Sequence, residues 1–389
     1  MDFTFTEEQR MLASAFGKFA NEICSPQRLR TAAEGRGGEG GRDGADRDRA
    51  AHEGARRDGA VRYRDGGRTA HDIEGTARWQ RLAELGLPGM LAPQARGGMG
   101  LTDIDFLLIA EEAGHVALPE PLVEHAGIAV PALTELADHP RVAEIFDAVA
   151  AGQTRVAVGH PINPFILDAA RSNYLLLTLG DEIHLVETSR TQLIHQPSID
   201  PLRELFKVEP LLSESTCLAT GQLAQRVSQR ALARGGLYSA AQLMGLGARM
   251  IELAVAYARE RQQFGKPIGS YQAIKHQLAT ARVKLEFARP VLYAAAVRVD
   301  SLDQRAQTSL SHAKLAATDA ADLAARTALQ VHGAMGYSWE VDLHFYMKRT
   351  WALAGAWGDR GFHLRRLSSL VLEDALELGP GHTFDTRNR

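Results

Sequence analysis

Two stretches of this chain carry side chains that, at their spacing, suit a dinucleotide. The first is RERQQFGKPIGSYQAIKHQLA, Arg259 to Ala279. Arg261 offers a planar fork of donors for a pyrophosphate. Phe264 offers an aromatic face for an adenine or a neighbouring ring. Gly265, Pro267 and Gly269 stop a helix and turn the chain, and Gln272 can hydrogen-bond to phosphate or ribose. The second stretch is ALQVHGAMGYSWEVDLHFYMKR, Ala328 to Arg349. Its Gln330, Gly333 and Gly336 fall at a helix end, where glycine lets a ligand approach the backbone. Taken alone, an Arg-x-x-Phe-Gly is most often a surface arginine and a helix stop, and a Gly-x-x-Gly a C-cap. Found together, in this order and this context, they specify a site. His332, His344 and His363 lack tight ligand spacing with a carboxylate, so no metal is expected.

The elements that must position these residues follow from the hydrophobic pattern. Thr6 followed by Glu7, Glu8 and Gln9 starts a helix, with Met11, Leu12, Ala15, Phe16 and Phe19 at helical spacing up to Ser25-Pro26. From Thr31 to Gly75 the chain is rich in Gly, Arg, Asp and Ala, with almost no large apolar residue. Such a segment buries too little to offset its ordering entropy and is read as a disordered insert. An RNA-binding arginine-glycine tract is disfavoured, because Asp43, Asp46, Asp48, Glu53, Asp58 and Asp65 nearly cancel the arginines. Helical texture resumes at Thr76, with a stripe of Trp79, Leu82, Leu85 and Leu87, and a further helix over Asp103–Val116. Five β-type runs follow: Val156–Val158, Tyr174–Leu179, Ile183–Val186, Gln192–His195 and Leu205–Val208. Turn residues separate them, which predicts a small antiparallel barrel or sandwich. After Gly221 the pattern is helical again, with one apolar face from Leu237 to Val255. Further helices over Tyr271–Val299, Ala306–Val331 and Arg360–Leu378 complete a four-helix bundle. The expected organisation is a helical domain over 1–152 (with the insert at 31–75), a β domain over 153–221 and the bundle over 222–389.

Composition excludes several classes. The 389 residues are 45% hydrophobic and 23% charged, ordinary for a globular protein. A net charge of -3 supplies no basic field for nucleic acid or an anionic membrane. Cys24 and Cys217 form neither a disulfide framework nor a zinc site. No signal-peptide pattern opens the chain and no apolar run spans a bilayer, so a cytoplasmic location is expected.

With both motifs placed in the bundle, the chain resembles the acyl-CoA dehydrogenase family. ELGLPGMLAPQARGGMGLTDIDFLLIAEEAG, Glu84 to Gly114, looks like that family's N-terminal helical domain. The resemblance spans nearly the whole chain except the insert, and is weakest in the β domain. It implies a mainly α fold with a middle β-barrel and a C-terminal four-helix bundle. It also implies that Arg261, Phe264, Gln272, Gln330, Gly333 and Gly336 hold the ADP half of an FAD bound mainly by a neighbouring subunit. The family removes the α-proton of an acyl-CoA and passes the β-hydride to flavin, using a glutamate base in a Tyr-Glu-Gly-Thr pattern. Here that stretch reads Ala356-Trp357-Gly358-Asp359. Trp357 stands at the base position and an indole cannot take the proton. The other position some members use, on the first bundle helix, is Gly235. The nearest carboxylate, Asp359, is a weak candidate, because two residues further on points elsewhere. The Thr-Glu-Pro and Gly-Ser-Asp signatures of the flavin-ring site are missing too, and HPINPFILDAA, His160 to Ala170, stands roughly there.

Kept ADP-binding elements with a lost base resemble the partner subunit of heteromeric α2β2 acyl-CoA dehydrogenases, such as those of steroid side-chain degradation. The partners implied are an acyl-CoA, a second dehydrogenase-like subunit and an electron acceptor. Two other readings share the fold. A flavin-dependent monooxygenase needs no glutamate but does need a self-sufficient flavin site. A non-catalytic acyl-CoA-binding scaffold has no use for the retained Arg261 and Phe264.

Overall fold

The computed structural model describes residues 5–36 and 70–373. Helix α1 (Glu7–Ile23) opens as its sequence predicts. Thr6 Oγ1 accepts from Gln9 N at 3.2 Å and Gln9 Oε1 accepts from Thr6 N at 2.9 Å, a reciprocal capping box. Helix α2 (Pro26–Arg36) runs past the expected start of the insert. Leu29 and Ala32 are buried and anchor it to the core. Helix α3 (Ala70–Glu84) likewise begins before Thr76. Both ends of the span expected to be disordered are therefore helical, and the rest of it lies outside the described residues. Trp79 and Leu82 are buried as expected, but Leu85 lies beyond the end of α3 and faces solvent.

Helix α4 (Asp103–His115) is followed by helical turns over Leu122–Glu124 and His125–Ala129, then α5 (Val130–Glu135) and α6 (Pro140–Ala150). The seven strands after it are β1 (Val156–Gly159), β2 (Ile166–Leu167), β3 (Tyr174–Leu179), β4 (Glu182–Glu187), β5 (Thr191–Gln196), β6 (Leu205–Pro210) and β7 (Cys217–Thr220). They form two sheets, ordered β1-β3-β4-β7 and β2-β6-β5, and β1 pairs with β3 in parallel. The expected all-antiparallel arrangement is corrected on this pair. The chain between β1 and β3 crosses to the second sheet as β2, so β3 returns in the same direction as β1.

Helix α7 (Gly221–Glu260) is the axis of the molecule. Residues 233–248 are buried on every side, so the single apolar face expected from sequence is instead a fully enclosed helix. Packed around it are α8 (Gln272–Ala296), α9 (Gln304–His332), α10 (Leu343–Gly355) and, from the N-terminal part, α4. The α4–α7 crossing brings backbones into contact. A Cβ at Gly114 would lie 2.1 Å from Gln242 O, and one at Gly245 would lie 1.9 Å from Glu111 O, so only glycine permits the approach. The expected helix over Arg360–Leu378 is present as α11 (Arg360–Ser368), continued by a π-helical turn over Ser369–Glu373, and α10, which the pattern does not show, precedes it across the turn Ala356–Asp359. Residues beyond Glu373 lie outside the described part.

Buried ion pairs lock the parts together. Arg78 Nε donates to Glu120 Oε1 at 2.7 Å, and Arg349 Nε donates to Asp200 Oδ2, all four side chains being buried. None of the described helices is long and apolar enough to cross a membrane.

Candidate functional site

The structure brings the two dinucleotide motifs to one end of the bundle. Helix α7 ends at Glu260, and Arg261 leaves it in extended conformation, its N–H bonded to Tyr257 O at 2.8 Å. A two-stranded hairpin follows, β8 (Gln262–Gln263) and β9 (Lys266–Pro267). Its tip is Phe264-Gly265, both with positive φ, 53° and 79°. Positive φ at both central residues is the geometry of a tight two-residue hairpin loop, though uncommon for a bulky residue such as phenylalanine. Here it holds the Phe264 ring out into solvent at 92% exposure. The hairpin returns against α7 at Gly269, where a Cβ would lie 2.9 Å from Ala258 O. Tyr271 braces the turn, donating its hydroxyl to Gln263 O at 3.1 Å under the Lys266 ammonium, 4.4 Å from the ring centroid. Gln272 opens α8 and is exposed.

The second motif closes α9. Gly333 has φ 58° and ψ −137°, a conformation open essentially to glycine alone, and a Cβ there would meet nothing within 4 Å. Gln330 is exposed one turn before it. Gly336 differs: it is buried, and a Cβ there would lie 2.7 Å from Leu329 Cδ1, so close packing also favours glycine here. A ring stack holds the two motifs side by side. Tyr257, one turn before Arg261, lies on His332, just before Gly333, with centroids 4.5 Å apart and planes 25° apart. The stack ties the end of α7 to the end of α9, a contact between residues 75 positions apart that neither motif announces. Arg261 is exposed and makes no ion pair among the described residues. An exposed unpaired guanidinium, an exposed ring and an open glycine on one ledge suit the phosphates and base of a dinucleotide.

The expected base position lies elsewhere. Gly235 and Arg261 are separated by roughly 39 Å along α7, at about 1.5 Å per residue. Trp357 is 4% exposed, and its indole lies directly on Gly235: a Cβ at Gly235 would be 2.1 Å from Trp357 Cδ2. The two positions that lack a carboxylate thus touch one another. Asp359 does not face them. It is exposed and caps α11, its Oδ1 accepting from Phe362 N at 2.7 Å, so the weak candidate base is engaged as a helix cap. Trp351, the other tryptophan of this region, is 42% exposed. No three His, Cys, Asp or Glu among the described residues converge on a metal position.

Around the Trp357 turn lies a buried polar cluster that sequence reasoning missed. His363 Nε2 is 3.2 Å from Trp357 O and its Nδ1 3.2 Å from Ser311 Oγ. Lys314, fully enclosed, donates to Ser239 Oγ at 2.8 Å and Leu353 O at 2.6 Å, with no carboxylate partner among the described residues. Burial pushes its ammonium down to about 7, with the Arg203 guanidinium adding to the effect. Between about pH 7 and the ordinary lysine range the unfolded chain therefore binds more protons than the folded one, so stability rises with pH across that window. Below about pH 7 both states are charged and the full penalty stands. Lys314→Met is expected to outstrip the native chain most at about pH 7 and below. That advantage should shrink by on the order of 1.4 kcal/mol per pH unit toward pH 8.5, read as urea midpoints of the two proteins. A gap constant with pH would show the ammonium to be solvated.

Comparison with known proteins places these features. Residues 225–369 match a family model described as acyl-CoA dehydrogenase, C-terminal domain, and residues 48–153 match acyl-CoA dehydrogenase, N-terminal domain. The second match begins inside the Gly/Arg-rich stretch set aside above as an insert. The chain is similar to acyl-CoA dehydrogenase IpdE2 of Mycobacterium tuberculosis, 31% identical over 303 residues, covering 76% of this chain and 86% of that protein. Among solved structures it is similar to the ChsE4-ChsE5 complex from Mycobacterium tuberculosis, with TM-score 0.73, 20% identity, and coverage of 97% and 100%. It is also similar to a variant of the Tcur3481-Tcur3483 steroid ACAD, with TM-score 0.71, 20% identity, and coverage of 95% and 99%.

Proposed function

This chain belongs to the acyl-CoA dehydrogenase family, and on that premise we propose that it is the subunit lacking the catalytic carboxylate in a heteromeric, FAD-dependent acyl-CoA dehydrogenase. The observation that carries the reading is the split between two ends of α7. At one end Arg261, Phe264, Gln272, Gln330 and Gly333 are exposed and free to engage a cofactor. At the other, both positions that could hold a base are an indole and a glycine in contact.

In this reading Arg261 would hold the pyrophosphate of an FAD shared with the partner subunit, and Phe264 would cover its adenine. Bound FAD supplies one chemistry, acceptance of the hydride from the β-carbon of the acyl-CoA. The α-proton goes to a carboxylate of the partner, leaving an α,β-double bond. This chain contributes binding and orientation, held by the Tyr257–His332 stack. The similarity to a structure described as a steroid ACAD, and to a two-component complex, supports a bulky acyl-CoA as substrate and a second, different chain as partner.

The test is co-expression with dehydrogenase-like chains of the same genome that retain the glutamate, followed by flavin absorbance and mass of the assembly, against this chain alone. A yellow species that forms only as a hetero-oligomer is the expected outcome. A chain that purifies yellow by itself and is bleached by an acyl-CoA overturns the reading.

A further inference from the structure

The cluster around Trp357 does more than lack a base. The ring lies on the backbone of α7 at Gly235, where a Cβ would come within 2.1 Å of Cδ2, 2.4 Å of Cε3 and 2.6 Å of Cε2. On the β-domain side the His160 ring lies 5.6 Å from it, centroid to centroid, and Asn163 Oδ1 accepts from Trp357 N at 2.8 Å. His160 is itself fixed, its Nδ1 accepting from Ile162 N at 3.2 Å and its Nε2 3.1 Å from Ser228 Oγ. One indole thus sits between the β domain, α7 and the α10–α11 turn.

The turn that carries this ring is over-determined. Trp357 has φ 56° and Gly358 φ 97°, so a residue with a large side chain is held in the left-handed region. Three contacts hold it there: Asn163 on its N–H, His363 on its carbonyl, and the close fit of Gly358, where a Cβ would lie 2.5 Å from Phe362 Cδ1 and 2.7 Å from His363 Nε2. Strain retained against so many alternatives signals a position under functional demand. An indole held this firmly does not swing aside as a flexible side chain would.

We propose that Trp357, seated on Gly235, is a fixed plug that closes this chain's own copy of the acyl-CoA chamber, so that the reacting end of a CoA thioester enters only the partner's chamber. The inference rests on the family reading above and deepens it: this subunit excludes substrate sterically as well as lacking the base. Gly235 is the matching half of the device, because any larger residue there drives the ring off the helix.

The test counts binding sites, not turnover. The probe is benzoyl-CoA, whose acyl group has no α-hydrogen to lose and whose ring approaches the indole in size. Titration calorimetry on the assembled hetero-oligomer gives the number of thioesters bound per pair of unlike chains. One per pair is expected for the native protein and two per pair for Trp357→Gly, a substitution that also suits the positive φ. Trp357→Asn, which tolerates the left-handed region, serves if the glycine variant does not fold. Two per pair in the native protein, or one per pair in both variants, overturns the plug. These counts are independent of the proposed function, which falls instead if the chain alone holds flavin and oxidises an acyl-CoA. The free chain is read in the same way, with a rise from zero to one expected on opening and an unchanged count overturning the proposal.

Discussion

Replacing Arg349 by methionine is expected to cost about 3–5 kcal/mol of stability, the range for removing one partner of a buried ion pair. The Arg349 side chain is buried in α10, and Asp200, its partner in the β5–β6 connection, is fully buried. Its Nη1 also donates to Leu118 O at 2.9 Å, in the segment after α4. One guanidinium therefore joins the bundle, the β domain and the N-terminal helices. Without it the Asp200 carboxylate stays in the core with, among the described residues, Leu202 N at 2.9 Å as its remaining hydrogen-bond donor. Set against total stabilities of about 5–15 kcal/mol, that loss is a large fraction of the whole. The double variant Arg349→Met with Asp200→Leu should recover most of the loss, because removing both charges leaves none unpaired. Urea midpoints of the single and double variants decide it. A single variant within about 1 kcal/mol of the native chain would mean that water already solvates the pair.

How much of this is legible in the sequence varies by element, for physical reasons. Local chemistry reads well. Thr6 with Gln9 announces the first helix and its cap, and the turn residues between Gly180 and Pro201 delimit strands β4 and β5. Where burial is complete, periodicity fails. Helix α10, LHFYMKRTWALAG, buries Leu343, Phe345, Tyr346, Met347, Arg349, Thr350 and Leu353, which cover several faces. It has no polar stripe to set the 3.6-residue period, so the pattern does not mark it as a helix, whereas α11, which follows it, is found where expected from Arg360 on. Residues 233–248 of α7 show the same blindness in milder form.

Distant contacts are the other gap. The sequence shows a tryptophan and a glycine at the two positions where the resemblance leads one to expect an acid, but not that the two meet 122 positions apart. Asp359 looks like a possible base because the sequence does not show its carboxylate already engaged with Phe362 N. Lys314 is inconspicuous in an alanine-rich stretch, since only the fold reveals that it lacks a carboxylate partner among the described residues. The residues proposed to hold a dinucleotide can be picked out because their chemistry is local to two short turns. Only the Tyr257–His332 stack that unites those turns needs the structure.

That union sets the largest expected effect on cofactor binding. In the assembled protein, Arg261→Ala should weaken FAD binding by about 10- to 150-fold, the equivalent of the roughly 1.5–3 kcal/mol of hydrogen bonds to a charged group. Arg261→Lys should restore only part of it, because an ammonium keeps the charge but lacks the planar fork that meets two phosphate oxygens at once. Arg261 is exposed and makes no ion pair among the described residues, so neither change should disturb folding, and the urea midpoint should stay within about 0.5 kcal/mol of native. Gly333→Ala separates backbone shape from charge. A Cβ there meets no neighbour, yet φ 58° with ψ −137° strains any residue other than glycine, so α9 should end differently and flavin affinity should fall with the charge intact. The measurement is fluorescence titration of FAD into the deflavinated assembly. Equal affinity in native and Arg261→Ala protein would remove Arg261 from the site and leave the exposed hairpin at Phe264 without a cofactor to explain it. A loss in Arg261→Ala that lysine repairs completely would mean that the site needs a charge and not a fork, and that the pyrophosphate is met at one oxygen only.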